Sequence, residues 1–253
     1  MNKLYKKFVI IKKEQLVLFL IFLILLFRFA FKGFFGDSID PLDFHVLYET
    51  AKSYLNGQTN LYHLAYGGGM YFKYAPFSIL LCIPWGFLPY KLSIVIWLVL
   101  HAVFFIMSLW IMRLIFDYYK ITLHPLLYLC GLVSIIKAVT IVFNAGQVDI
   151  LIFLLVLLSI YAHLHGKNII SSLMLALAFS IKLPALIFII FFILRKDIRS
   201  VFFTLAWIIL LNTFASFIIS WISGAYYYVL YYGTAVKPVI VAGDYPWAHK
   251  IIM

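Results

Sequence analysis

The chain has 253 residues, of which 66% are hydrophobic, 19% aromatic and 11% charged, whereas soluble globular domains carry about 25% charged residues; a soluble fold is excluded. The formal charge of +11 does not point to nucleic acid. The positive residues are scattered, and the densest group, Lys3, Lys6, Lys7, Lys12 and Lys13, borders the first apolar run, where basic flanks hold an end in the cytoplasm and suit anionic headgroups.

Repeated apolar runs of about 18 residues or more predict an all-α, polytopic membrane protein, because a helix needs about 20 residues to cross the hydrocarbon core. Residues 1–14 form a basic cytoplasmic tail. The first span is expected from Gln15 to Phe35, running inside to outside; it is too long for a cleavable signal and no small-residue cleavage site follows. Arg28 and Lys32 near its outer end can snorkel to the interface.

Residues 36–73 then form an external loop, which holds four of the nine acidic residues between Asp37 and Glu49. Asp40, Pro41 and Asp43 read as a helix start: a cap, a proline at the first position, then an acid. Phe44, Leu47, Tyr48, Ala51 and Leu55 share one face at helical spacing, and Gly57 supplies the stop. This predicts an amphipathic helix lying on the outer membrane surface. Gly67, Gly68 and Gly69 read as a hinge.

A short second span is expected over Tyr74 to Leu88, turned back on the cytoplasmic side by Pro89, Tyr90 and Lys91. Further spans follow at Leu92 to Phe116, Pro125 to Phe143 and Val148 to Tyr161. A long apolar stretch, Ile169 to Leu194, is broken at Lys182-Leu183-Pro184. Arg195 to Arg199 is a basic cluster expected inside, and Val201 to Ile222 is the last clear span. That makes a bundle of about seven or eight spans at about 20 residues each, in a single integral membrane domain covering 1–253, with 224–253 the start of a second external loop or a tail. Simple alternation makes Asn144 to Asp149 cytoplasmic and Lys167 external; if Lys182 marks a hairpin apex, those sides exchange. Cys82 and Cys130 sit in apolar runs and give neither a disulfide framework nor metal spacing.

Three blocks carry a resemblance: "DFHVLYETAKSYLNGQTNLYHL", then "FKYAPFSILLCIPWGFLP", then "NAGQVDILIFLLVLLSIYAHLHGKNIISSLMLALAFSIKLPALIFIIFFILRK". In this order they resemble glycosyltransferase family 87, polyprenyl-phosphate-mannose-dependent enzymes of the C-type superfamily. The resemblance implies a C-type helix bundle with its active site on the extracytoplasmic face of the cell (inner or plasma) membrane. It implies a polyprenyl-phosphate-linked sugar donor, a lipid or glycan acceptor, and neither a dissociable cofactor nor a metal. It implies an aspartate base in the first external loop, for which Asp43 is the nearest match, and it maps the family's lysine onto Lys182 and its "GQ" block onto Gly146 and Gln147. The chain is shorter than family members of about ten spans, so the C-terminal half is expected to be rudimentary or missing.

Each candidate also has a plain structural role. Asp43 and Asp40 could only cap a helix, an effect of about 1 kcal/mol; Asp37 reads as a solvated loop residue. Lys182 lies in an apolar stretch, where charge faces a cavity or a partner, or snorkels. Lys73 and Tyr74 either meet the phosphate or join an interfacial belt. Asn144, Gln147 and Asp149 either orient sugar hydroxyls or form the ordinary turn before a helix. His101 reads as a packed, hydrogen-bonded histidine, and Lys137, which the resemblance does not single out, as a lysine that snorkels to the interface. Two rival functions remain from sequence: a lipid or sugar transporter or flippase, which discontinuous helices favour, and a non-catalytic truncated membrane subunit.

Overall fold

A computed structural model describes residues 41–59, 61–62, 65–66, 70–121 and 125–223. The first span, Asp37, Asp40, the glycine hinge and the tail from residue 224 lie outside the described residues. In order, the elements are α1 (Leu42–Leu55), a two-residue antiparallel pair β1 (Ala65–Tyr66) and β2 (Met70–Tyr71), α2 (Pro76–Gly86), α3 (Tyr90–Tyr118), α4 (Pro125–Ala145), α5 (Asp149–Leu164), α6 (Asn168–Ile181), a 3-10 segment Leu183–Ile189, α7 (Ile190–Leu194) and α8 (Ile198–Ser223). Ala65 pairs with Tyr71 and Tyr66 with Met70.

Two helices, Tyr90–Tyr118 and Ile198–Trp221, are long and apolar enough to cross a membrane, and Lys137–Ala145 with Asp149–Leu164 forms a third candidate bent by 119°. The seven or eight spans expected from hydropathy are thus two or three among the described residues. Apolar runs that approach the required length are not all helices long enough to span. The run at Tyr74 to Leu88 is the main case. It forms α2, an 11-residue helix, which at 1.5 Å per residue is too short to span.

Helix α2 packs along α1. A Cβ on Gly86 would stand 2.8 Å from Leu55 Cδ1 and 3.1 Å from Ala51 Cβ, so the glycine permits that approach. The turn after α2 therefore stays beside α1: the Tyr48 hydroxyl donates to the Leu88 carbonyl at 3.0 Å, and the Tyr90 hydroxyl lies 3.4 Å from His45 Nδ1. The Pro89-Tyr90-Lys91 turn thus shares an end with α1, contrary to the expectation from alternation.

Helix α1 departs from its expectation in two ways. Pro41 occupies the cap position rather than the first turn, with no side-chain cap bond. The buried set is broader than one stripe, adding Val46, Thr50 and Tyr54 to Phe44, Leu47, Tyr48 and Ala51, while Leu55 is exposed. An aromatic group fills the space over it, with Phe44 within 6.5 Å (ring centroids) of Tyr48, Trp85, Tyr90 and Trp97. The helix is packed into the protein on most of its surface rather than lying on a bilayer by one face.

From Tyr90 onward the chain runs back and forth between two ends. Helix α5 packs on α3 and α6, and α6 on α8. The α4–α5 junction reaches the α1 end: Gly146 has φ +67°, and a Cβ there would meet Phe44 Cβ at 2.8 Å and Pro41 Cβ at 2.9 Å. Gly146 and Gln147 donate to the Phe143 and Val142 carbonyls, the left-handed helix ending that glycine makes inexpensive. Residues Asn144 to Asp149 therefore lie at the α1 end, with the Lys182 break, and Lys167 lies at the opposite end. The hairpin-apex alternative for Lys182 describes the arrangement.

Candidate functional site

The α1 end gathers charged groups from four separate stretches of sequence. Pro184 creates the geometry at one of them. It has no N–H to give the Ser180 carbonyl, which ends α6. The Ser78 hydroxyl of α2 lies within hydrogen-bond distance of that orphaned carbonyl, at 3.1 Å, and of the Ile181 carbonyl, at 3.3 Å. Asn212 Nδ2 of α8 donates to Ser180 Oγ at 2.9 Å. Lys182 follows in an extended conformation, φ −146° and ψ 122°, so its side chain leaves the helix axis. Its Nζ donates to Asp149 Oδ1 at 2.6 Å, with both side chains 35% exposed.

Asp149 opens α5, directly after a loop clamped from α3. Trp97 Nε1 donates to the Gly146 carbonyl at 2.9 Å. His101, fully buried, places Nε2 against the Gln147 carbonyl and Nδ1 2.9 Å from the Trp97 carbonyl. His101 is thus the packed, hydrogen-bonded residue its apolar run suggested, but what it packs is the loop of the site.

Asp43 stands in the first turn of α1, half-buried. Among the described residues its carboxylate takes part in no hydrogen bond. Burial pushes the Lys73 ammonium below its ordinary value, and the nearby Asp43 carboxylate opposes that shift. Burial raises the Tyr74 phenol, and Asp43 and Asp149 add to the rise. One phenol therefore senses both carboxylates, and Asp43, Lys73, Tyr74, Asp149 and Lys182 share one electrostatic neighbourhood.

The residues singled out from sequence divide accordingly. Asp43 acts electrostatically on Lys73 and Tyr74, and Lys182 is linked to them through Asp149, which also acts on Tyr74. Gln147 joins through its backbone carbonyl. Asn144 is exposed in the last turn of α4, with no side-chain hydrogen bond among the described residues. Asp40 is outside them. Asp149, read from sequence either as a sugar contact or as a turn residue, is Lys182's partner, and Trp97 was missed. Asp149 had a signal: two opposite charges within apolar stretches tend to find each other, since either alone is costly in a membrane. Trp97 had none, because a tryptophan in an apolar run is ordinary. Among the described residues no group of three or more His, Cys, Asp or Glu side chains converges as a metal site would require.

The arrangement offers a carboxylate with no hydrogen bond among the described residues for a proton, and, in Lys182, an ammonium with N–H donors beyond the one given to Asp149 for an anion. Comparison with known proteins bears on what that anion belongs to. A family model described as glycosyltransferase family 87 matches residues 72–244, more than half of the chain. No curated protein and no solved structure matches it.

Proposed function

The chain belongs to glycosyltransferase family 87, and from that membership, which makes it a glycosyltransferase, we propose that it moves a hexose, mannose, from a polyprenyl-phosphate donor to a lipid or glycan acceptor at the extracytoplasmic membrane face. Asp43 takes the acceptor hydroxyl proton while the acceptor oxygen attacks the anomeric carbon. The bond from that carbon to the phosphate oxygen breaks, and its electron pair leaves with the polyprenyl phosphate. Lys182, aided by Lys73, stands where the leaving oxygen's charge develops, which is where fixed positive charge lowers a barrier most.

The observation that carries this reading is the contrast between the two carboxylates that act on the Tyr74 phenol. Asp149 is engaged with Lys182, whereas Asp43 takes part in no hydrogen bond among the described residues. A general base needs a lone pair to direct at the incoming hydroxyl within about 2.6–3.2 Å, and Asp43 has one to give. Tyr74, whose phenol burial and both carboxylates keep protonated, can donate to a sugar or phosphate oxygen.

Charge distribution supports the orientation. Arg113, Lys120, Lys167, Arg195, Lys196 and Arg199 lie toward the end opposite α1, with Lys52, Lys73, Lys91 and Lys182 toward the α1 end and Lys137 within the C-terminal half of α4. The positive-inside tendency favours a cytoplasmic opposite end and an external α1 end. The helix break at Lys182 would also suit a transporter, and family membership weighs against that.

The test is transfer by the purified protein in liposomes supplied with polyprenyl-phosphate [3H]mannose and a membrane lipid extract. Labelled acceptor should form, and GDP-mannose should not replace the lipid donor. Transfer from the nucleotide sugar alone, or none from either donor, would overturn the proposal.

A further inference from the structure

In the structure Lys182 already has a partner, which raises the question of what Asp149 does beside an anion-binding lysine. We propose that Asp149 is a positioning residue that aims the Lys182 ammonium at the donor phosphate; the proposal rests on the donor reading above. A lysine side chain carries about 2 kcal/mol of rotamer entropy, and half-exposed it would sample many directions. An ammonium has three N–H donors. One given to Asp149 at 2.6 Å fixes the head and leaves two for a phosphate oxygen.

Both ends of the pair are anchored on rigid junctions. The α6 carbonyls before Lys182 are held by Ser78 from α2. The loop before Asp149 is held through consecutive carbonyls by Trp97 and His101 from α3, and Gly146 seats it against Pro41 and Phe44 at the start of α1. That last contact ties the lysine's holder to the helix bearing Asp43. A carboxylate serving only as a cap would accept from backbone amides of its own helix. The hydrogen bond of Asp149 among the described residues is to Lys182 instead.

A double-mutant cycle tests this with native protein, Asp149→Asn, Lys182→Met and the double variant. Each is checked for monodispersity and melting temperature, then measured for affinity to a short-chain polyprenyl phosphate and for KM and kcat with polyprenyl-phosphate mannose. Asp149→Asn should weaken phosphate affinity and raise the donor KM by roughly tenfold, within the coupling seen for charge pairs in contact, with kcat less affected. In the Lys182→Met background the same change should cost nothing further. On net charge alone, removing a carboxylate would tighten an anion, so tighter binding by Asp149→Asn overturns the proposal, as does an equal loss with and without Lys182. Should Asp149→Asn fail to fold, Asp149→Glu keeps the charge and carries the test, with a smaller loss that again vanishes without Lys182. A native protein that neither binds the phosphate nor transfers from it defeats the donor reading itself; binding and transfer without coupling defeat only the role of Asp149.

Discussion

The two ends of the helix bundle use the same residue types for opposite purposes. At the end opposite α1, Asp197 is fully committed. It accepts from the Ser200 amide at 3.2 Å, the Ser200 hydroxyl at 2.6 Å and Asn168 Nδ2 at 3.1 Å, with His163 Nδ1 3.5 Å away. The Ser200 hydroxyl bond contributes most to holding its carboxyl below the usual range, against some desolvation. Arg195 is likewise engaged, donating to the Tyr119 hydroxyl and lying over the Phe191 ring. At the α1 end Asp43 is left uncommitted and the Asp149–Lys182 pair is half open to its surroundings. Polar groups that satisfy one another hold helices together; polar groups left with unused capacity are available to a ligand.

Asp43→Asn and Asp197→Asn should separate these roles most sharply. The first is expected to lower kcat by about 10²–10⁴-fold, the range for loss of a general base, with the melting temperature unchanged. The second should leave kcat and KM alone. A transfer assay and a thermal melt on both variants check the crossing, and a destabilised Asp43→Asn with native kinetics would erase the distinction between the ends.

The next largest effect is expected at Gly146. An alanine there must adopt φ +67° and place Cβ 2.8 Å from Phe44 Cβ, so about 1–3 kcal/mol of strain is relieved by pushing the loop from the start of α1. Transfer should fall by about tenfold or more, since small displacements of catalytic groups are costly. Gly166 at the opposite end also has positive φ, but nothing lies within 4 Å of a Cβ there. Gly166→Ala should cost about 1–2 kcal/mol from the left-handed backbone alone and leave kinetics native. Comparing the two alanine variants by melting and by rate tells loop placement from backbone strain.

Trp97→Phe keeps the ring stack on Phe44 and removes the indole donor to the Gly146 carbonyl. A loss of about 1–3 kcal/mol is expected for the stranded carbonyl, with a severalfold fall in transfer. The smallest effect on activity belongs to Asp197→Ala, expected to be nil, with stability reduced by about 0.5–2 kcal/mol through the lost helix cap. The pH sign follows from the direction of its shift. The folded carboxyl titrates below the unfolded one, so its contribution is complete above the ordinary carboxylate range and is lost as pH falls through the depressed folded value. Melting curves of native and variant protein should therefore converge in acid and differ at neutral pH.

What was legible from sequence follows a physical divide. Helices α3 to α6 and α8 were readable because apolar runs bounded by turn residues report burial directly. The spans at α3 and α8 were readable with them, but the one expected at α2 was not, because hydropathy measures apolarity and not direction: α2 is as greasy as a span but lies along α1, held by Gly86 and by the Tyr48 bond to the chain just after it. The sidedness of Asn144 to Asp149 was left open because the later loops carry only one or two basic residues each, too few for charge to choose. One misassigned short helix reverses every later turn. Lys182 was visible as a charge in an apolar stretch, and Asp43 through the concentration of acids in the first loop and the family resemblance, whereas the clamp of Trp97 and His101 on two backbone carbonyls leaves no trace in side-chain pattern.

The central claim is that the chemistry occurs at the α1 end, and the position of the donor headgroup tests it most directly. In a cryo-EM structure of the protein with polyprenyl-phosphate mannose, the phosphate should contact Lys182 Nζ and the mannose should lie beside Asp43. A headgroup bound near His163 and Asp197, or one at the α1 end with its sugar turned away from Asp43, would contradict it.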